Sequence, residues 1–157
     1  MLALIIAIYI FYYQTNLIQE EKKNKFIPLI EMELIDDWKF LSNLKNPMKI
    51  RFSDGNELDF YLFIVQNLIF EHAIRSNVFN KEQTEFLLKM KGAIDFHNIV
   101  IEQFINMNRL FGENPDIYRK SLEFLYNNHD KSKKELKKII LTANNYFEFK
   151  EFNKKIK

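Results

Sequence analysis

The scarcity of glycine and proline constrains the fold of this chain more than any other feature. Three glycines and three prolines occur among 157 residues, whereas average usage is about 7% and 5%. Tight turns and hairpins depend on these two residues, so we expect few and long helices. The length fits one domain, and 47% hydrophobic residues with 28% charged ones are typical of a chain that folds. The sequence therefore predicts an all-α fold.

The first 25 residues change from apolar to charged. Residues 2–13 are apolar without interruption, and two further apolar residues extend the run to roughly 27 Å in a helix. A bilayer core is about 30 Å thick, and the three tyrosines of the run suit its aromatic interface. We therefore interpret residues 1–20 as a transmembrane or membrane-anchor helix that contacts the membrane through residues 1–18. Residues 21–25 are then a charged juxtamembrane segment.

Two other interpretations of this segment stay open, a cleaved signal peptide and the first core helix of a soluble bundle. A signal peptide carries basic residues before its apolar stretch and a small-residue cleavage site after it, and the sequence shows neither. Apolar runs of about 10 to 14 residues are often core helices. Lys22, Lys23 and Lys25 set the topology, because basic residues beside a span stay inside. We expect a single-pass membrane protein with its N-terminus outside and its body cytoplasmic.

Residues 26–157 form the predicted helical domain. Within residues 27–44, apolar side chains recur every three or four positions, which predicts an amphipathic helix with Pro28 in its first turn. Helix-capping and helix-breaking residues indicate where the later helices begin and end. We expect the anchor helix to be followed by a bundle of four or five helices.

Residues 48–62 have two interpretations. Apolar residues alternate on both sides of Asp54 and Gly55, a pattern that is typical of a hairpin. However, Asp54 and Glu57 also resemble a capping box that opens a long apolar helix through Ser76. We favour the helix.

Two more helices are predicted downstream. Asn80 and Gln83 resemble a helix start, and the apolar pattern then runs to Gly112 as one long helix or as two pieces that meet near Gly92. Pro115 marks the start of the next helix.

The C-terminal tail is strongly basic. Ser132 and Glu135 form a predicted capping box for a last helix, within a segment 131–157 that carries nine lysines and three glutamates. Its lysines could contact an anionic membrane, bind nucleic acid together with the tail aromatics, or form a solvated face over core aromatics. The candidate contact residues are Lys131, Lys133, Lys134, Lys137 and Lys138.

Catalytic motifs do not fit the sequence. No cysteine is present, and none of the three histidines follows a glutamate at the spacing of di-metal bundles. His72 and His97 both lie on predicted apolar stripes of neighbouring helices, so they could meet and titrate near neutral pH. Alternatively, each donates one hydrogen bond inside the core. We expect no catalytic residues, no cofactor and no metal.

Residues 58–125 carry a resemblance to a known class of proteins. The stretches FYLFIVQNLIFEHAIRSNVF, NKEQTEFLLKM and LFGENPDIYRKSLEFL follow a short N-terminal span. In this layout the chain resembles small membrane-anchored helical proteins of prophages and bacterial defence loci, some described as phage-exclusion or abortive-infection proteins. The resemblance implies a bacterial or phage protein and carries no site residues.

These observations predict a membrane-tethered cytoplasmic protein-interaction module, not an enzyme. Its partners would be the membrane, through residues 1–18, and an unidentified protein. One alternative is a nucleic-acid-binding helical protein that uses the basic C-terminal helix. The other is an enzyme with a site at His72 and His97.

Overall fold

The structure, a computed structural model, describes residues 2–111 and 114–156 and is mostly helical. One short antiparallel hairpin interrupts the helices. The elements are α1 Leu2–Ser42, β1 Met48–Arg51, β2 Glu57–Phe60, α2 Leu68–Ser76, α3 Lys81–Phe111, α4 Arg119–Leu141 and α5 Phe152–Lys155, with 3₁₀ turns at Pro115–Tyr118 and Ala143–Asn145. The predicted helical bundle is confirmed in its main part.

Helix α1 combines a projecting N-terminal half with a packed C-terminal half. Ile30, Leu34 and Leu41 are buried in the core, as the amphipathic pattern predicts. Pro28 lies inside α1 and not in the first turn of a separate helix, so that prediction was wrong. Phe26 and Ile27 pack against the core, and this packing offsets the backbone hydrogen bond that a proline removes.

The predicted transmembrane helix is not found in the structure. None of the helices in residues 2–111 and 114–156 combines the length and the apolar character that crossing a membrane requires.

The hairpin corrects the helix that the sequence favoured after residue 57. Ile50 pairs with Leu58, and Met48 pairs with Phe60. At the turn, the N–H of Gly55 (φ 87°) donates to the carbonyl of Phe52 over 3.0 Å. The carboxylate of Asp54 accepts the N–H of Asn56 at 3.1 Å and the Arg119 guanidinium at 2.7 Å, so it stabilises a turn and caps no helix.

Two apolar clusters form the core. The larger cluster joins α1, α2, α3, the C-terminal part of α4 and the tail. The smaller cluster, called here the hairpin cluster, packs the inner face of the hairpin against α3 and α4. It comprises Ile50, Phe52, Phe60, Val100, Ile101, Phe104, Leu122 and Leu125.

The predicted helix starts met different outcomes. At α3 the cap is confirmed, because Asn80 Oδ1 accepts the Gln83 N–H at 2.9 Å and Gln83 Oε1 accepts the Asn80 N–H at 3.3 Å. The helix then runs through Gly92 as one piece. The start at Ser132 was wrong, since α4 is continuous from Arg119 and the Ser132 hydroxyl donates to a carbonyl inside it.

The C-terminus is docked onto α1 by one carboxylate. Glu31 Oε1 accepts the N–H of Glu151 at 2.5 Å and the N–H of Phe152 at 2.7 Å. Glu31 is buried, and Phe152 is fully buried beside it. The carboxylate therefore supplies the acceptor that the first turn of α5 lacks.

Replacing Glu31 with alanine is expected to lower the free energy of unfolding by about 2 kcal/mol, because two backbone N–H groups lose a charged acceptor. Urea unfolding of the full chain measures the change. Glu31→Gln keeps a carbonyl oxygen in place and should lose clearly less. An alanine variant as stable as the wild type would contradict this role for the carboxylate.

Candidate functional site

The N-terminal half of α1 exposes a continuous apolar surface, which we call the apolar segment (residues 5–18). Ile5, Ile6, Ile8 and Tyr9 are each at least half exposed. Because successive helical residues point about 100° apart, these four residues together with Ile10 and Phe11 lie on every face of the helix and not in one stripe. The other large exposed side chains of the segment are Ile10, Phe11, Tyr12, Tyr13, Leu17 and Ile18.

Charged residues follow the apolar segment directly. Lys22 and Lys25 are exposed and Lys23 is half-buried. Lys25 Nζ lies 2.7 Å from Glu21 Oε1, one turn earlier on the same helix. The three lysines that the sequence assigned to topology therefore lie at the boundary between the apolar segment and the folded body.

The five candidate lysines of α4 divide into two groups. Lys133 lies 4.8 Å from the centre of the Tyr61 ring, and Lys137 lies 5.8 Å from that of Trp38. These two cover the body through cation–π contacts. The remaining three are exposed, and one of them, Lys134, is 2.7 Å from Asp130. The exposed group comprises Lys131, Lys134 and Lys138.

Most aromatic residues of the tail pack against the body. Phe147 and Phe152 are buried in the larger cluster, and the ring of Phe149 stacks on that of Phe147 at 5.3 Å. The segment 131–157 is also not a single helix, because α4 ends at Leu141 and α5 begins only at Phe152. Tyr146 is 37% exposed, with its ring 5.0 Å from that of Phe86.

The structure pairs His97 with His129 and leaves His72 outside. His72 is exposed on α2, whereas His97 and His129 are fully buried with ring centres 5.6 Å apart. The proposed approach of His72 to His97 is therefore wrong. One signal could have found the correct partner, because His129 occupies the apolar stripe that runs from Leu122 through Leu136 at helical spacing.

Both buried rings bind the backbone of the chain that follows the hairpin. His129 Nε2 lies 3.0 Å from the carbonyl oxygen of Tyr61, and His97 Nε2 lies 3.3 Å from that of Phe63. As neutral rings, each donates Nε2–H to its carbonyl. The Ser132 hydroxyl lies 2.8 Å from both His97 Nδ1 and the His129 carbonyl, and it can donate to one of them at a time.

Burial keeps both rings neutral. Burial and, to a smaller extent, the nearby Lys133 charge lower the pKa of His97 from 6.5 to about 4, against the opposing effect of the hydrogen bond to the Phe63 carbonyl. Burial also lowers the pKa of His129 to about 4, together with the charges of Lys133 and His97. Across residues 2–111 and 114–156, no cluster of three His, Asp or Glu side chains could hold a metal ion. The two rings therefore hold a backbone segment through hydrogen bonds. The core hydrogen bond that the sequence suggested for both His72 and His97 is found only for His97, because His72 is exposed.

Comparisons with protein-family models, with curated proteins and with solved structures found no match for the chain.

Proposed function

We propose that the protein is a membrane-tethered helical module whose body binds another protein at the cytoplasmic surface. The observation that carries the proposal is the apolar segment, which is exposed all around its circumference. A helix that is apolar all round is buried on all sides, either inside a large protein or in lipid. The folded body does not cover this segment, and lipid is the medium that would.

A coiled-coil partner fits the apolar segment less well. Two-stranded coiled coils bury one seam of residues repeating every 3.5 positions and leave charged residues on the outer faces. Residues 5–13 carry no charged side chain on any face. Burial of every face is what a lipid environment provides.

The boundary of the segment supports the same assignment. Tyr9, Tyr12 and Tyr13 are exposed around the middle of the segment, before its last apolar residues Leu17 and Ile18, and tyrosines concentrate where lipid meets water. Lys22, Lys23 and Lys25 follow within two turns, and basic residues favour the cytoplasmic side with its anionic lipids. The proposed orientation places the body on that side.

The body has features of a binding module. Two buried apolar clusters close its interior, and its buried histidines hold backbone carbonyls. Hydrogen-bonding side chains of this kind supply structure, not chemistry. Binding to another protein is therefore the function proposed for the body.

The double variant Ile6→Lys/Ile10→Lys is expected to abolish membrane attachment. Each lysine at lipid depth costs about 3 kcal/mol relative to isoleucine, so the bound fraction should fall at least a hundredfold. Flotation of the full chain with vesicles that contain anionic lipid measures the effect.

The matched control is Ile117→Lys/Phe124→Lys, which adds the same charge at residues that are 72% and 65% exposed on the body. This control should float like the wild type. Wild-type protein that stays at the bottom of the gradient, or an Ile6→Lys/Ile10→Lys variant that floats equally well, would overturn the tether.

A further inference from the structure

The chain between β2 and α2, which we call the 61–66 segment, is held along one edge only. The carbonyls of Tyr61 and Phe63 accept from the buried histidines. At Val65, the side chain of Asn98 accepts the backbone N–H at 3.0 Å and donates to the backbone carbonyl at 2.8 Å. The Asn98 side chain thus makes the two hydrogen bonds to Val65 that a neighbouring strand would make.

The opposite edge of the 61–66 segment is open. Burial alternates, with Phe63 and Val65 buried while Leu62 is 44% and Ile64 is 68% exposed. Successive residues of an extended chain present their backbone groups to opposite edges. Within residues 2–111 and 114–156, no group hydrogen-bonds the backbone of Leu62 or Ile64. These two residues therefore offer unpaired N–H and C=O groups.

A groove lies between this segment and the C-terminal half of α1. It consists of two adjoining hollows of about 590 Å³ and 280 Å³, and Asp36 and Phe40 line both of them. Leu62 lines the larger hollow, and Ile64 lines the smaller one. Six extended residues span roughly 20 Å, which is the usual length of a paired strand.

One wall of the groove is acidic. Glu33, Asp36 and Asp37 line the smaller hollow beside Ile64, whereas Lys39 and Lys45 line the larger one, and Lys39 Nζ lies 3.7 Å from Asp36. Burial and the charges of Glu33 and Asp36 raise the pKa of Asp37 to about 8, and burial with the Asp36 charge raises that of Glu33. Among the described residues, Asp37 Oδ2 is buried without a hydrogen-bond partner. At neutral pH Asp37 is therefore mainly protonated, and a cation placed here would favour its ionised form.

We propose that this groove binds an extended peptide of a partner protein, which pairs with Leu62 and Ile64 as an added strand and places a lysine or arginine against Glu33, Asp36 and Asp37. The proposal rests on the proposed function and names the surface through which the body acts. Backbone hydrogen bonds to the peptide supply the affinity, and the acidic wall supplies the selectivity for peptides that carry a lysine or arginine.

A second copy of this chain is a poorer occupant. Self-pairing of two 61–66 segments about a two-fold axis presents the same surface patch from each copy. Each copy would present both its acidic wall and the lysines of its larger hollow, Lys39 and Lys45, so a second copy offers a less uniform charge to the acidic wall than a basic peptide does. A basic peptide has the complementary charge.

The test selects peptides from a displayed library of random ten-residue sequences on the full-length protein in detergent micelles. Enrichment of sequences with alternating apolar residues and at least one lysine or arginine is expected. A synthetic peptide from that pool is then N-methylated at alternate backbone positions, in two series. One series should abolish binding and the other should leave it within threefold. If neither series or both series abolish binding, strand addition is overturned.

Substitutions in the protein test the same backbone pairing that N-methylation tests in the peptide. Ile64→Pro removes the N–H that faces the peptide without breaking a hydrogen bond of the fold, and it should weaken binding at least tenfold. Ile64→Thr keeps the N–H and a β-branched side chain, so it should change binding less than threefold. Asp36→Lys should weaken a basic peptide at least tenfold. Equal binding by wild type and Ile64→Pro would overturn the proposal.

Vesicle flotation of the same variants separates this inference from the tether. Ile64→Pro and Asp36→Lys should float like the wild type, since both lie on the body. Peptide binding by a protein that does not float would overturn the tether alone, whereas flotation without peptide enrichment would overturn the groove alone. Dimerisation that Ile64→Pro abolishes would assign the edge to a second copy and overturn the peptide as its occupant.

Discussion

The variant Phe60→Ala is expected to lose about 3–5 kcal/mol of unfolding free energy. Phe60 is fully buried in the hairpin cluster, and its ring centre lies 3.8 Å from that of Phe104 and 4.5 Å from that of His129. Truncation removes the contact that joins the hairpin to both α3 and α4, and it leaves a cavity that these helices can close only in part. Urea unfolding of the full chain in detergent gives the value.

The control for this variant is Phe124→Ala on α4. Phe124 is 65% exposed, so its truncation should change stability by no more than about 0.5 kcal/mol. A loss below about 1 kcal/mol for Phe60→Ala would show that the hairpin is not packed on the helices as described.

Lowering the pH from 7 to 4 is expected to remove the stability that the two buried histidines contribute, while Asp37, whose pKa is raised to about 8, contributes in the opposite direction over the same range. Below pH 6.5 the unfolded chain takes up protons on these rings, whereas the folded protein resists until about pH 4 because burial lowers the pKa of His97 and His129. The stability that depends on the neutral rings is therefore present above pH 6.5 and lost progressively toward pH 4. The shift at His97 alone corresponds to about 3 kcal/mol.

Charged groups around the pair modulate this effect. Lys133 opposes protonation of both rings, and Asp130 favours protonation of His129. Urea midpoints at pH 7, 5.5 and 4.5 measure the dependence. His97→Gln and His129→Gln should each flatten it, while His72→Gln, at an exposed position, should not. A dependence that survives both core substitutions would assign acid sensitivity to other groups.

Signals that act over a few residues were predictive. The cap at Asn80 and Gln83 spans three residues, and both of its hydrogen bonds are present. The stripe of α1 from Ile30 to Leu41 is buried as its spacing indicates. Hydrogen bonds and helical periodicity operate within one or two turns, so they can be recognised before the chain is folded.

Signals that depend on distant contacts were misleading. Asp54 and Glu57 are compatible with both a hairpin turn and a capping box. Which of the two forms depends on the packing of Phe60 against Phe104 in the core. Likewise, the Ser132 hydroxyl lies 2.8 Å from a ring nitrogen of His97, 35 residues earlier, and 2.8 Å from the His129 carbonyl, and it caps no helix. Local patterns cannot weigh such contacts, because the free energy of burial depends on which elements meet.

The sequence by itself determined the mainly helical fold, the start of α3 and the apolar segment at the N-terminus. Each of these depends on residues that are close together in the sequence. The tertiary structure decided the hairpin, the pairing of His97 with His129 and the edge of the 61–66 segment that stays open. These three features arise where residues far apart in sequence compete for the same interior space. Packing and hydrogen-bond satisfaction across the whole body, and not local preference, select among them.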